Sequence, residues 1–158
     1  WLFAGHDEDD APNNEYKMKD WLTFSTTDLK HWHQHPVGLD ISAFKWADSK
    51  QAFAGHVAKR NGKYYWYVST NWCGIGVAVS DNIMGPWRPM GLIDGVSGNS
   101  NTTHPSIVKF KDQWLYFTHD GSLHDGHSYK SSVVMKKLEY NADGTIKPID
   151  STPSIVRI

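Results

Sequence analysis

The sequence predicts an all-β fold, a β-propeller of four-stranded antiparallel blades. Three observations carry that expectation. An aromatic hairpin occurs twice, so that Val57, Asn61-Gly62 and Tyr64 to Tyr67 recur fifty residues later as Ile107, Lys111-Asp112 and Trp114 to Phe117. A strand, a polar turn and a tryptophan also recur, with Ser25 and Trp32 seven residues apart, as are Ser80 and Trp87. No segment carries a convincing helical period. Four short antiparallel strands in a unit that repeats every 50 to 55 residues are the mark of a propeller blade. A β-sandwich would also need many short strands, but would not repeat its aromatic hairpin in register.

The elements follow in order. WLFAGHDED (Trp1 to Asp9) is a short apolar strand that runs into an acidic loop through Pro12-Asn13-Asn14. KDWLTFSTTDLKHW (Lys19 to Trp32) is a strand of alternating character, an S-T-T-D turn and a closing tryptophan. Residues 33–50 read mostly as loop, anchored by Phe44 and Trp46. AFAGHVAKRNGKYYWYVST (Ala52 to Thr70) is a hairpin whose Asn-Gly pair is the strongest short hairpin signal. CGIGVAVSDNIMGPW (Cys73 to Trp87) repeats strand, turn and tryptophan, and the Gly/Ser-rich segment after it reads as a junction. In NTTHPSIVKFKDQWLYFTHDG (Asn101 to Gly121), Pro105 biases His104 toward extended backbone before the second hairpin. Ser132 to Leu138 is a strand, and Asn141 to Gly144 is a turn before a last short strand.

This division makes residues 1–50 a first blade without its opening strand and residues 51–94 a second blade. Residues 95–100 form a junction where blades are missing, and residues 101–158 are the last blade and a tail. Propellers close with about 4–8 blades, so the chain reads as a piece of something longer. Three blades would leave apolar flanks uncovered, and either association with a second chain or an unexpected closure of the chain is expected to cover them.

Composition narrows the function classes. Sixteen basic and 17 acidic residues give a formal charge of −1, so neither nucleic acid nor an anionic membrane surface is implied. No apolar run approaches the roughly 18 residues of a membrane span. One cysteine, Cys73, excludes an internal disulfide. Aromatic residues make up 13% of the chain, more than an ordinary core uses, and flat rings also stack on sugars.

The second strands of the repeats end in polar pairs, His6-Asp7, Thr70-Asn71 and His119-Asp120, at equivalent or near-equivalent positions. They are candidates for one shared pocket, unless strand ends are simply polar. Trp72 is either a stacking platform or blade-to-blade packing. His104, entering an inner strand, is a candidate for the central axis. His31, His33 and His35 alternate as metal ligands might, but their surroundings are turn-like and hold no second cluster. Asp7 to Asp10 read as a solvated loop or a weak cation site.

In combination, WLFAGHDED, DWLTFSTTDLKHW, AFAGHVAKRNGKYYWYVS, GIGVAVSDNIMGPW, THPSIVKFKDQWLYFTHDGSL and LEYNADGTI resemble glycoside hydrolase family 43, five-bladed propellers that remove arabinose or xylose units from plant cell-wall polysaccharides. The resemblance implies an inverting glycosidase whose partner is an oligo- or polysaccharide containing arabinose or xylose. It also implies an extracellular or periplasmic location. The family uses three carboxylates, and by this mapping none lies in the chain: the base falls before Trp1, and the modulating Asp and acid Glu fall in blades missing between about Leu92 and Asn101. What carries over is the surrounding pocket: His6, Asp7, Asn71, Trp72, His119 and Asp120 as sugar-site residues, and His104 as the axial histidine that faces calcium or water. Where the family has Tyr-Arg-Arg-Ser, this chain has Tyr129-Lys130-Ser131-Ser132. Lys130 then stands in for a guanidinium whose bidentate donors it cannot reproduce. A non-catalytic carbohydrate-binding propeller, or an inactive homologue, is the alternative.

Overall fold

The computed structural model describes residues 1–47, 52–70, 74–94, 103–120 and 132–149. These form three antiparallel sheets. The first contains β1 (Leu2–Asp7), β2 (Met18–Ser25) and β3 (His33–Gln34), with β4 (Leu39–Asp40) also paired to β2. The second runs β5 (Ala52–Arg60), β6 (Lys63–Thr70), β7 (Gly74–Ser80), β8 (Arg88–Asp94) in that spatial order. The third contains β9 (Ser106–Phe110), β10 (Gln113–Asp120) and β11 (Ser132–Leu138), again in chain order. The edge strand β5 touches both β1 and β9.

The hairpin repeat holds to the residue. Ala58 pairs with Tyr65 in the second sheet, and Val108 pairs with Leu115 in the third. Asn61 and Gly62 carry φ of 48° and 80°, the pair of positive angles a tight two-residue turn needs to match strand twist. Lys111 takes φ 53° at the same place in the second hairpin.

The other repeat needs a correction of one residue. The Thr26 hydroxyl accepts from the amides of Asp28 and Leu29, and the Asp28 carboxylate accepts from Lys30. In the second sheet Ser80 accepts from Asn82, and Asn82 accepts from Met84. The equivalent of Ser80 is therefore Thr26, not Ser25. The tryptophans still correspond, since each precedes the residue paired to the end of the third strand, His33 to Ser25 and Arg88 to Val79. The second turn is one residue longer and carries Gly85 at φ 90° before Pro86.

Residues 33–47 hold more structure than expected. β4 pairs Leu39 with Trp21, and a 3-10 turn at Ile41–Ala43 is capped by Asp40, whose carboxylate accepts from the Ser42 amide at 2.8 Å. Leu39 and Ile41 are thereby buried with the expected anchor Phe44.

Two seams hold the sheets together. Met18, Trp21, Leu39, Phe44, Trp66, Val68 and Trp87 fill the first, with Trp66 meeting Phe3 and Trp87 edge-on at 4.9 and 5.1 Å. Tyr65, Tyr67, Ile75, Val77, Ile107, Tyr116 and Leu138 fill the second. Alternation along β6 sends Trp66 and Val68 to one seam and Tyr65 and Tyr67 to the other. The second sheet is thus covered on both faces, which explains why β6 and β7 read as continuous apolar runs.

The two repeat tryptophans predict different costs. Trp87 is buried against Trp66, whereas Trp32 is 43% exposed. Trp87→Ala should destabilise the chain by about 3–5 kcal/mol. Trp32→Ala should cost less than about half of that, with urea unfolding of both variants as the measurement.

Candidate functional site

The counterpart strands β1, β6 and β10 end at Asp7, Thr70 and Asp120. His6 and Asp7 are exposed. A register shift between Gly5 and Asp7 turns His6 toward Asp20, and the imidazole N–H donates to the carboxylate at 2.7 Å. Asp20 is a partner the sequence pattern did not reveal, because only the bulge brings it opposite His6. Asp7 lies beside Tyr16, whose hydroxyl donates to the Ala52 carbonyl at 2.5 Å and whose ring stacks on Phe53 at 4.7 Å. Burial, with a smaller contribution from the Asp7 charge, raises the Tyr16 pKa well above that of an ordinary phenol. Thr70 is buried and accepts from Trp46 Nε1 at 3.3 Å. Asn71, Trp72 and Lys130 lie outside the described residues.

On the third sheet His104 is exposed two residues before β9, and its ring sits 5.7 Å from that of His119 on β10. The spacing follows from the ladder. Phe117 pairs with Ser106, and two further residues along the same register bring His119 opposite His104. Packing on one side of the ring lowers the His104 pKa, and the neighbouring His119 adds to this. Asp120 closes β10 opposite Ser132.

The histidines do not converge within the chain. Thr103, Pro105 and Ile107 are buried while His104, Ser106 and Val108 are exposed, so His104 and His119 lie on the face of the third sheet that points away from the second. His6 and Asp20 lie on the face of the first sheet opposite Phe3, Trp21 and the second sheet. The sugar-site candidates therefore occupy the two flanks of the arc, and Asp7 faces the first seam.

Calcium prefers six to eight oxygen ligands, and two imidazoles offer none. Among the described residues no group of three or more His, Cys, Asp or Glu assembles around a common point. The described residues thus do not fit direct calcium binding at His104. The alternating histidines are also engaged elsewhere. His31 bonds Asp28 at 2.7 Å, His35 bonds the Ser25 hydroxyl at 2.8 Å, and Trp1 stacks on His35. In the acidic loop Glu8 and Asp10 pair with Lys17.

The second seam carries a polar group that the sequence did not flag. Asp94, the only buried carboxylate among the described residues, accepts from the Tyr116 hydroxyl at 2.9 Å and lies 3.9 Å from Lys136 Nζ. Burial first, and then the Asp94 charge, pushes the Tyr116 pKa up. Ser69 Oγ, Thr103 Oγ1 and Ser132 Oγ are buried without a hydrogen-bond partner among the described residues, at about 1–3 kcal/mol each. His56 on β5 hydrogen-bonds the Ile107 backbone. Burial still lowers its pKa, with that bond as a smaller opposing effect.

Repeated antiparallel sheets that end in polar residues define a β-propeller architecture. The family description "Glycosyl hydrolases family 43" matches residues 11–101. A "Beta-xylosidase" of Xylanibacter ruminicola is 38% identical over 107 residues, covering 65% of this chain and 33% of the relative. A "Xylosidase/arabinosidase" of Bacteroides ovatus is 37% identical, covering 65% and 32%. A solved GH43_1 enzyme of Xanthomonas citri complexed with xylose shares 33% identity at a TM-score of 0.57, covering 65% of this chain and 32% of that one. An alpha-L-arabinofuranosidase of Clostridium thermocellum matches 97% of this chain and 53% of its own at a TM-score of 0.62, and at 20% identity it bears on the fold alone. The chain belongs to glycosyl hydrolase family 43. It spans about a third of the length of the curated relatives it matches.

Two measurements check the site. Tyr116→Phe leaves Asp94 without its hydroxyl donor and should cost about 1.5–3 kcal/mol in urea unfolding. His56 and His104 both hold pKa values below the usual histidine range of about 6.5. The unfolded chain therefore takes up protons that the folded chain refuses. Stability should be full above about pH 6.5 and decline as pH falls toward the folded values. His56→Asn should flatten that decline in denaturation curves between about pH 7 and 5.

Proposed function

We propose that this chain is part of an inverting glycosidase acting on arabinofuranosyl or xylosyl linkages of plant cell-wall polysaccharides. Its membership of family 43, among relatives named for xylosidase and arabinosidase activity, carries the reading. Inversion needs two carboxyl groups about 6.5–9.5 Å apart with a water between them and the sugar. A polymeric substrate outside the cell implies an extracellular or periplasmic enzyme. A calcium ion at the channel would be held through its own waters, with His104 ordering them.

The second reading is a non-catalytic carbohydrate-binding propeller or an inactive homologue, favoured by Tyr129-Lys130-Ser131-Ser132, where the family has Tyr-Arg-Arg-Ser and lysine and serine cannot reproduce a guanidinium's paired donors.

A single experiment separates the readings. The whole protein that contains this chain is incubated with 4-nitrophenyl α-L-arabinofuranoside and β-D-xyloside, and xylotriose binding is measured by calorimetry. Hydrolysis that first releases the inverted anomer, followed by NMR, supports the glycosidase. Binding without turnover supports the second reading, and neither sinks both. Loss of the signal in EDTA and its return with calcium is the expected outcome for the metal, and indifference to EDTA removes it.

A further inference from the structure

We propose that the cavity between the second sheet and the turn at residues 143–145 binds a single sugar ring, at the opposite end of β6 from Thr70. That the ring is a pentose rests on the saccharide reading above, whereas the cavity stands without it.

The floor of the cavity follows from the ladder. Tyr65 pairs with Val79 and Val79 with Arg88, and paired residues share a sheet face. Tyr65 and Val79 belong to the second seam, so Arg88 points to that side as well. The register shift between Val77 and Ala78 leaves Met90 as an extra residue, which packs beside them. The facing wall is the turn after Tyr140, and hydrogen bonds fix it in place. The Tyr65 hydroxyl donates to the Gly144 carbonyl at 3.0 Å, and the Gly144 amide to the Asn141 carbonyl at 3.0 Å. The Thr145 amide and hydroxyl both donate to the Asp143 carboxylate, at 2.9 and 2.7 Å. Gly144 holds φ 89°, and a Cβ there would meet the Tyr65 hydroxyl at 2.9 Å. From this turn the chain climbs away from the cavity toward the other end of β8, where the Ile149 amide donates to the Ile93 carbonyl.

The groups around this space suit a neutral polyol. Arg88 is exposed and makes no hydrogen bond or ion pair with a described residue, though its charge reaches Asp81 at a distance. Its fork of donors therefore remains for vicinal hydroxyls. Asp143 offers acceptors from the facing wall, and the two Thr145 bonds hold its carboxyl below the usual carboxylate range. An anion is disfavoured, because Asp143 lines the same space and Lys63 is taken by Asp81 at 2.6 Å. Val79, Pro89 and Met90 supply an apolar strip for the C–H face of a sugar. The volume is about 260 Å³. Sites for drug-sized ligands run about 300–1,000 Å³, so this one holds a single ring. Thr70 lies about 17 Å further along β6.

The test uses the whole protein that contains this chain, carrying carbon-13 at its methionine methyls, with the Met90 signal assigned through Met90→Leu. D-xylose should shift that signal saturably, with a Kd of about 1–10 mM. Arg88→Gln and Asp143→Asn should each raise the Kd by about tenfold. Lys109→Gln, which removes a positive charge from an exposed site on β9, should leave it unchanged. Both cavity variants should hydrolyse the 4-nitrophenyl substrates as the wild type does. A Met90 signal indifferent to xylose overturns the proposal, and so does an equal shift with glycerol at the same concentration. A shift that inorganic phosphate reproduces and Asp143→Asn strengthens shows an anion site and overturns it as well. A xylose-dependent Met90 shift in a protein that hydrolyses neither substrate supports this site and sinks the glycosidase reading.

Discussion

The interleaving of β6 between two seams is the constraint the rest of the structure depends on. Trp66 and Val68 point one way and Tyr65 and Tyr67 the other, each fully buried. A strand of this kind cannot fold against a single neighbour, because either alternate set would then face water. It therefore demands a sheet on both sides, and Phe3, Trp21 and Phe44 from the first and Ile107, Tyr116 and Leu138 from the third meet that demand. The polar tips of the same residues tie the seams down. Tyr65 donates to the Gly144 carbonyl, the Tyr67 and Tyr140 hydroxyls share a hydrogen bond, and Trp21 Nε1 reaches the Phe53 carbonyl.

The seams differ in character. The first is almost wholly apolar and aromatic near β6. The second brings a carboxylate, a lysine and a tyrosine into its interior; among the described residues it leaves the Ser69, Thr103 and Ser132 hydroxyls without a partner, as the first leaves Trp66 Nε1. Desolvating Asp94 is tolerable because the Tyr116 hydroxyl and Lys136 compensate its charge, while the hydroxyls have no such compensation. The placement of the histidines on the two flanks follows from the same geometry, since first and last sheets of an arc turn their outer faces to whatever closes the ring.

Much of this was legible in the chain of residues itself. Alternation, the Asn61-Gly62 turn and the fifty-residue echo determined strands, hairpins and their register, because these depend on neighbours within one hairpin. The polar strand ends at Asp7, Thr70 and Asp120 were likewise visible as a repeated position. The one-residue error in the second repeat arose because serine and threonine cap a turn equally well, so letters alone could not tell Ser25 from Thr26. Only tertiary structure decided which face of each sheet is buried, since period two says that faces alternate and not which one has a neighbour. It also decided that Asp20 meets His6, through a bulge, and that Asp94 meets Tyr116, 22 residues away on another sheet. Contacts of that sort depend on how whole sheets stack, and stacking is set by the summed packing of both seams rather than by any local run of residues.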